Sequence, residues 1–376
     1  MKDLSIKIII SMMFIAALSA CSFSQDSAKR SQVESKSEEK SVTNRPQTPL
    51  PPFPYKTEEV VISNDKGGSA LAGTLTIPKN ADNSTPIVIM VSGSGQQNRD
   101  EEVFEHKPFA VIADYLARNG IASFRYDKRG VGKSTGNILN ATTADFANDT
   151  EAVMNWIREN KQFGKVGILG HSEGGLIAYM LGAGNDTPDF IVSIAGPAVQ
   201  GKEIIAWQNK VALMNSGFSE PDAEKFRNAL TKVFEYKLKN PDSTSINQEL
   251  IDEFYSDSKI NPLNAKLVAS LKSVLTDKAN NHWMLFFLGY NPAKDLKLLK
   301  IPAFIIYGEK DQQVPPELNY DLATKLAPKA KVIIYPGLNH LMQHAITGRV
   351  EEYKIIEETF ALEVLDDITS FIKSVK

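Results

Sequence analysis

The chain has 376 residues, 42% hydrophobic and 23% charged, with 42 Lys and Arg against 45 Asp and Glu and a single cysteine. That length suits one large domain or two smaller ones. A formal net charge of −3 offers no electrostatic footprint for nucleic acid, and one cysteine excludes an internal disulfide.

The N-terminus sets Lys2 and Lys7 before an apolar run, Ile8 to Leu18, that is too short for a comfortable membrane span. A basic front, an apolar middle and a small-residue end are the pattern of a secretory signal. Its end, Leu18-Ser19-Ala20-Cys21, resembles the bacterial lipobox. That resemblance implies a signal peptide over residues 1–20 and a lipidated Cys21 as first residue of the mature chain. It places the protein in a bacterial cell envelope, lipid-anchored, with the outer membrane favoured by Ser22 rather than aspartate after the cysteine. Residues 21–55 are rich in Ser, Lys, Glu and Gln and then in proline, with too little apolar surface to offset their ordering entropy. They read as a disordered tether.

From Lys56 the patterning changes. Glu59–Ser63 and Leu71–Ile77 read as an antiparallel pair around a turn at Asn64-Asp65-Lys66-Gly67-Gly68. Pro86–Val91 is a β-branched run suited to a strand buried on both faces. A glycine-rich loop, Ser92-Gly93-Ser94-Gly95, follows it and can bring backbone N–H groups close to a ligand. A helix over Phe109–Asn119 leads to a strand at Ile121–Tyr126 and then Asp127-Lys128-Arg129-Gly130-Val131-Gly132-Lys133-Ser134. Its Gly-Lys-Ser is not a phosphate loop, because the glycine needed five positions before Gly132 is Asp127.

A helical pattern over Phe146–Glu159 precedes the strand at Lys165–Leu169, which runs into Gly170-His171-Ser172-Glu173-Gly174-Gly175. Strand, Gly-x-Ser-x-Gly and helix in that order form a nucleophile elbow. Ser172 is its nucleophile, the flanking glycines permit the close turn, and the N–H of Glu173 lies where an oxyanion would form. Asp189–Ala195 is a further strand. Strands alternating with helices argue for a mostly parallel sheet covered on both faces.

Residues 197–292 lack a convincing strand and are too long for a plain loop. They read as a helical cap insertion, with two or three of its many aromatics lining a substrate pocket. The alternation resumes with Ile301–Gly308, after which Asp311 stands on a short turn. The strand Lys331–Tyr335 is followed by His340, with His344 as its alternative.

Ser172, Asp311 and His340 thus come in the order nucleophile, acid, histidine, each at a strand-to-loop junction. With Gly-His-Ser-Glu-Gly-Gly, Asp127–Ser134, Gly308-Glu309-Lys310-Asp311 and Gly337-Leu338-Asn339-His340, the chain from residue 56 onward resembles the α/β-hydrolase superfamily. Ser92-Gly93-Ser94-Gly95 followed by Arg99-Asp100-Glu101 resembles a branch of small-ester esterases. The resemblance implies an α/β-hydrolase core over 56–196 and 293–376 and a serine hydrolase that cleaves carboxylic esters with short-chain or carbohydrate-linked acyl groups. The catalytic residues implied are Ser172, Asp311 and His340. The oxyanion donors implied are the N–H groups of Glu173 and Ser94, with Gly95 the alternative to Ser94. No cofactor is required, and no His, Cys and carboxylate cluster has metal-ligand spacing. The alternatives are a serine aminopeptidase, which would need an acidic pocket such as Glu203, Asp222 or Glu224 could supply, and a noncatalytic binding module.

Overall fold

The computed structural model describes residues 44–242 and 281–375. Eight strands form one sheet in the order β1-β2-β4-β3-β5-β6-β7-β8. β1 (Tyr55–Asn64) and β2 (Ser69–Pro78) are antiparallel, and β2 is antiparallel to β4 (Ala122–Tyr126). β3 (Ile87–Val91), β5 (Val166–His171), β6 (Phe190–Ile194), β7 (Ala303–Gly308) and β8 (Lys331–Tyr335) continue the sheet in parallel from β4. Every residue of β3, β5, β6 and β7 is buried. Predominantly apolar runs are therefore what these strands required, since both faces are covered.

Helices α1 (Pro108–Arg118), α2 (Thr143–Asn160) and α3 (Glu173–Gly182) are the crossovers in the first half of the sheet. Helix α2 opens with a complete capping box: Thr142 accepts from Asp145 N–H while the Asp145 carboxylate accepts from Thr142 N–H. Such a cap contributes about 1 kcal/mol. Its start at Thr143 adds a turn to the helix expected from Phe146, because polar Thr143 and Asp145 carry the cap rather than the apolar stripe.

The cap consists, among the described residues, of α4 (Gly201–Asn215), α5 (Glu220–Lys239) and α6 (Asn281–Gly289). These have a small core of their own, built on Leu213, Phe226, Leu230, Val233, Phe234, Met284 and Leu288. Phe226 and Phe234 are thus packing residues, whereas Phe254 and Tyr255 lie outside the described residues. Then α7 (Ala293–Leu298), α8 (Pro316–Leu326) and α9 (Leu362–Ser374) complete the fold. Two apolar layers sandwich the sheet. One is built with Phe146, Val153, Leu176, Ile177 and Ala323 from α2, α3 and α8; the other uses Phe109, Ile112, Val364, Leu365 and Ile368 from α1 and α9. This is the α/β-hydrolase architecture expected from the resemblance.

One boundary differs from expectation. The segment expected from composition to be disordered as far as residue 55 is seated on the domain from Asn44 onward. Arg45 donates to the carbonyls of Phe104 (2.8 Å), Lys354 (2.9 Å) and Ile356 (2.6 Å). Gln47 Oε1 accepts from the N–H groups of Thr359 and Phe360, and its Nε2 donates to Phe360 O. Backbone hydrogen bonding, which composition does not register, holds this segment in place.

Candidate active site

Strand β5 delivers the elbow. Ser172 has φ 54° and ψ −116°, a strained conformation for a residue with a side chain. Its N–H donates to Ile194 O of the neighbouring β6 at 2.8 Å, so the turn is clamped to the sheet. The glycines are needed for clearance. A Cβ at Gly170 would lie 1.9 Å from Gly174 O, and one at Gly174 would lie 1.9 Å from Val91 O. The N–H of Glu173, first in α3, has no acceptor within the helix.

At the end of β7, Asp311 is buried. Its Oδ1 accepts from the N–H groups of Gln313 and Val314, both at 2.8 Å, and its Oδ2 lies 2.8 Å from Nδ1 of His340. A carboxylate only accepts, so Nδ1 carries the hydrogen and Nε2 presents a lone pair. The loop holding His340 is wound around the Asn339 side chain, whose Oδ1 accepts from Leu341 and Gln343 N–H. His344 is elsewhere: it is exposed, with its ring nitrogens against Glu358 and Glu363. Among the remaining histidines, His106 is buried between Thr359 and the Tyr353 carbonyl, and His282 is exposed.

Ser172 and His340 line one cavity of about 150 Å³ with Gly93, Ser94 and the N-terminal end of α3. The cap closes it with Ile204, Gln208, Trp283, Met284 and Phe287. Two cap aromatics, Trp283 and Phe287, therefore line it, stacked with centroids 5.1 Å apart. Ser94 is in the wall and Gly95 is not. The Gly93 N–H is bound to Glu101 Oε1 at 2.6 Å. Among the described residues, no group of three or more His, Cys, Asp or Glu is placed to hold a metal ion.

Three residues quoted in the sequence motifs without a role turn out to build the site. Glu101 is buried, with φ 51°, and its Oε1 also meets His171 Nδ1 at 2.9 Å. His171 Nε2 donates to the His340 carbonyl at 2.9 Å. Burial alone would push the His171 ring down, but the Glu101 carboxylate beside it and these hydrogen bonds carry it above its ordinary value. Lys128 Nζ, buried just after β4, donates to Gly93 O at 2.8 Å and to Glu173 Oε2 at 3.0 Å. The Glu173 carboxylate also accepts from Thr143 Oγ1 (2.7 Å) and, from the cap, Trp283 Nε1 (2.6 Å). A signal existed in the motifs Arg99-Asp100-Glu101 and Asp127-Lys128-Arg129, whose charges follow buried strands.

A family model described as serine aminopeptidase, S33, matches residues 105–344, a stretch containing the elbow, Asp311 and His340. The chain belongs to this family. This S33-family hydrolase is 27% identical over 290 residues to esterase EstD of Thermotoga maritima, covering 77% of this chain. The match spans 62% of that esterase, less than two thirds of its length. A monoacylglycerol lipase of Mycolicibacterium smegmatis is 22% identical over 265 residues, 70% of this chain and 82% of the lipase. Among solved structures, the esterase Pf2001 of Pyrococcus furiosus aligns with a TM-score of 0.51 at 17% identity, over 89% of this chain and 97% of that one. Proline iminopeptidase from Mycobacterium smegmatis aligns at 0.50 with 18% identity, over 84% and 98% respectively. At such identities these two structures speak to the fold.

Proposed function

We propose that this S33-family hydrolase cleaves carboxylic esters through an acyl-enzyme on Ser172. His340 Nε2 takes the proton from Ser172 Oγ as the serine attacks the carbonyl carbon. The N–H groups of Glu173 and Ser94 hold the resulting oxyanion. Asp311 keeps the imidazole in the Nδ1–H tautomer and stabilises it once protonated. His340 then returns the proton to the leaving alkoxide, and water, activated by the same ring, releases the acid.

The observation that carries the ester reading is the state of the carboxylates in the cavity wall. Of the two, Glu101 is engaged by Gly93 N–H and His171, and Glu173 by Lys128, Thr143 and Trp283. The acids that would serve an aminopeptidase stand elsewhere among the described residues: Glu224 pairs with Lys210 and Arg227, Asp222 bonds Ser219 at the start of α5, and Glu203 does not line the cavity. Among the described residues, then, a free α-amine would find no unengaged carboxylate in the cavity wall, whereas an uncharged ester meets amides and aromatics. The names of the curated relatives, an esterase and a monoacylglycerol lipase, favour the same chemistry. Within that chemistry we assign short-chain or carbohydrate-linked acyl groups, the small cavity of about 150 Å³ favouring short chains.

Acylation of Cys21 would tether this hydrolase to the bacterial envelope through residues 21–43, with the outer membrane the favoured site. Mass spectrometry of the chain from a membrane fraction, beside Cys21→Ser, tests the anchor.

For the activity, the full chain in mild detergent and its Ser172→Ala variant are assayed on p-nitrophenyl acetate, butyrate and octanoate and on aminoacyl p-nitroanilides. Ester turnover that falls with acyl length and vanishes in the variant supports the reading. Anilide turnover exceeding ester turnover would replace it with a peptidase, and equal inactivity of both proteins would argue for a binding module.

A further inference from the structure

We infer that Lys128 is the positioning residue of the oxyanion site, holding both of its donors in register from outside the cavity; this rests on the acyl-transfer reading of Ser172. Lys128 follows β4, is 3% exposed and does not line the cavity, so it acts only through what it grips. Its Nζ lies 4.1 Å from the centre of the Phe146 ring, which backs it from α2.

The first grip is on a peptide plane. Gly93 presses against the nucleophile, since a Cβ built there would lie 3.2 Å from Ser172 Cβ. Its N–H is spent on Glu101, and its carbonyl accepts from Lys128. In a trans peptide the carbonyl and the following N–H point in opposite directions. Drawing Gly93 O toward Lys128 therefore turns the Ser94 N–H to the opposite side of that peptide. A cation on the carbonyl also polarises the peptide so that its N–H is a stronger donor.

The second grip is on the Glu173 side chain at 3.0 Å. Glu173 supplies the other donor from its backbone, and its carboxylate is fixed further by Thr143 and Trp283. One ammonium-bearing side chain thus ties the residue before one donor to the residue that bears the other. The spacing of the pair is set by Lys128 before a substrate arrives, which is the condition for electrostatic stabilisation without reorganisation.

Removing Lys128 alone would strand the Glu173 carboxylate in a buried place, so the decisive variant is Lys128→Met combined with Glu173→Gln, read against Glu173→Gln alone; Lys128→Met against wild type is the second comparison, in which any loss also includes the stranded carboxylate. The measurements are thermal unfolding, kcat and KM on the ester panel, and the rate at which a fluorophosphonate labels Ser172. In labelling, the Oγ–P bond forms, fluoride leaves, and the serine proton passes to His340, with a phosphoryl oxygen seated where the oxyanion would be. Folded double variant is expected to lose about 100-fold in kcat and in labelling rate relative to Glu173→Gln, with KM within about threefold. Equal kcat and labelling in the two folded proteins would overturn the role of Lys128, as would a loss confined to KM. A wild type that neither hydrolyses esters nor takes the label would overturn the acyl-transfer reading, and Lys128's role with it. A wild type that takes the label but ignores the ester panel leaves the labelling comparison to decide on Lys128.

Discussion

His171 Nε2 donates to the backbone carbonyl of His340 at 2.9 Å, and the two rings lie with centroids 4.7 Å apart. The residue before Ser172 therefore supports the loop that carries His340, while its other nitrogen reaches Glu101. A carbonyl can only accept, so Nε2 keeps its hydrogen, and the proton at Nδ1 is what joins His171 to Glu101.

That pair makes stability depend on pH. The folded value of His171 is raised above the ordinary value near 6.5. Its stabilisation is thus fully present below that ordinary value and is lost as pH rises through the folded value. Glu101→Gln should unfold at lower temperature than wild type by the equivalent of roughly 3 kcal/mol near pH 5.5. The gap should narrow toward pH 9 in calorimetric scans; a gap that widens with pH would mean the pair is not an ion pair.

Ser172→Ala is expected to cost on the order of a million-fold in kcat, leaving only binding and residual oxyanion stabilisation. Asp311→Asn should cost about ten-thousand-fold, because an amide that donates toward Nδ1 favours the wrong tautomer. Circular dichroism unchanged in both, with steady-state ester kinetics beside it, checks that these are losses of chemistry.

Gly174→Ala places a methyl group 1.9 Å from Val91 O, a backbone atom of a fully buried strand. The strand cannot move aside without breaking its ladder to β5. We expect a destabilisation of about 3 kcal/mol or failure to fold, visible as a lowered urea midpoint. Gly184→Ala, whose nearest contact is 3.3 Å, should shift that midpoint far less.

Trp283→Phe keeps the stack on Phe287 and removes the N–H that Glu173 accepts at 2.6 Å. Lys128 and Thr143 still hold the carboxylate, so kcat should fall by less than about tenfold. KM should rise severalfold, since α6 contributes Trp283, Met284 and Phe287 to the wall. Unchanged KM on the butyrate ester would show that the cap is not fixed through this bond.

The sheet and the strand-end positions of Ser172, Asp311 and His340 were legible because they rest on local signals. Apolar runs marked β3, β5, β6 and β7, and the glycines around Ser172 marked a turn with no room for side chains. What was hidden depends on pairs distant in sequence. Lys128 meets Glu173 across 45 positions, Glu101 meets His171 across 70, and Trp283 meets Glu173 across 110. A charged residue that folding will bury looks the same in sequence as one left in water. The seat of Arg45 was hidden for a related reason: its partners are carbonyls, which every residue carries.

That seat has a practical side. Phe104, whose carbonyl Arg45 holds, lines the cavity, so Asn44 and Arg45, the first described residues, sit beside the cavity wall. Whatever is attached ahead of Asn44 inherits that address. A fusion partner joined directly to Asn44 would begin its chain within reach of that wall, whereas one joined after Ser374, the last residue of α9, would begin from a different element.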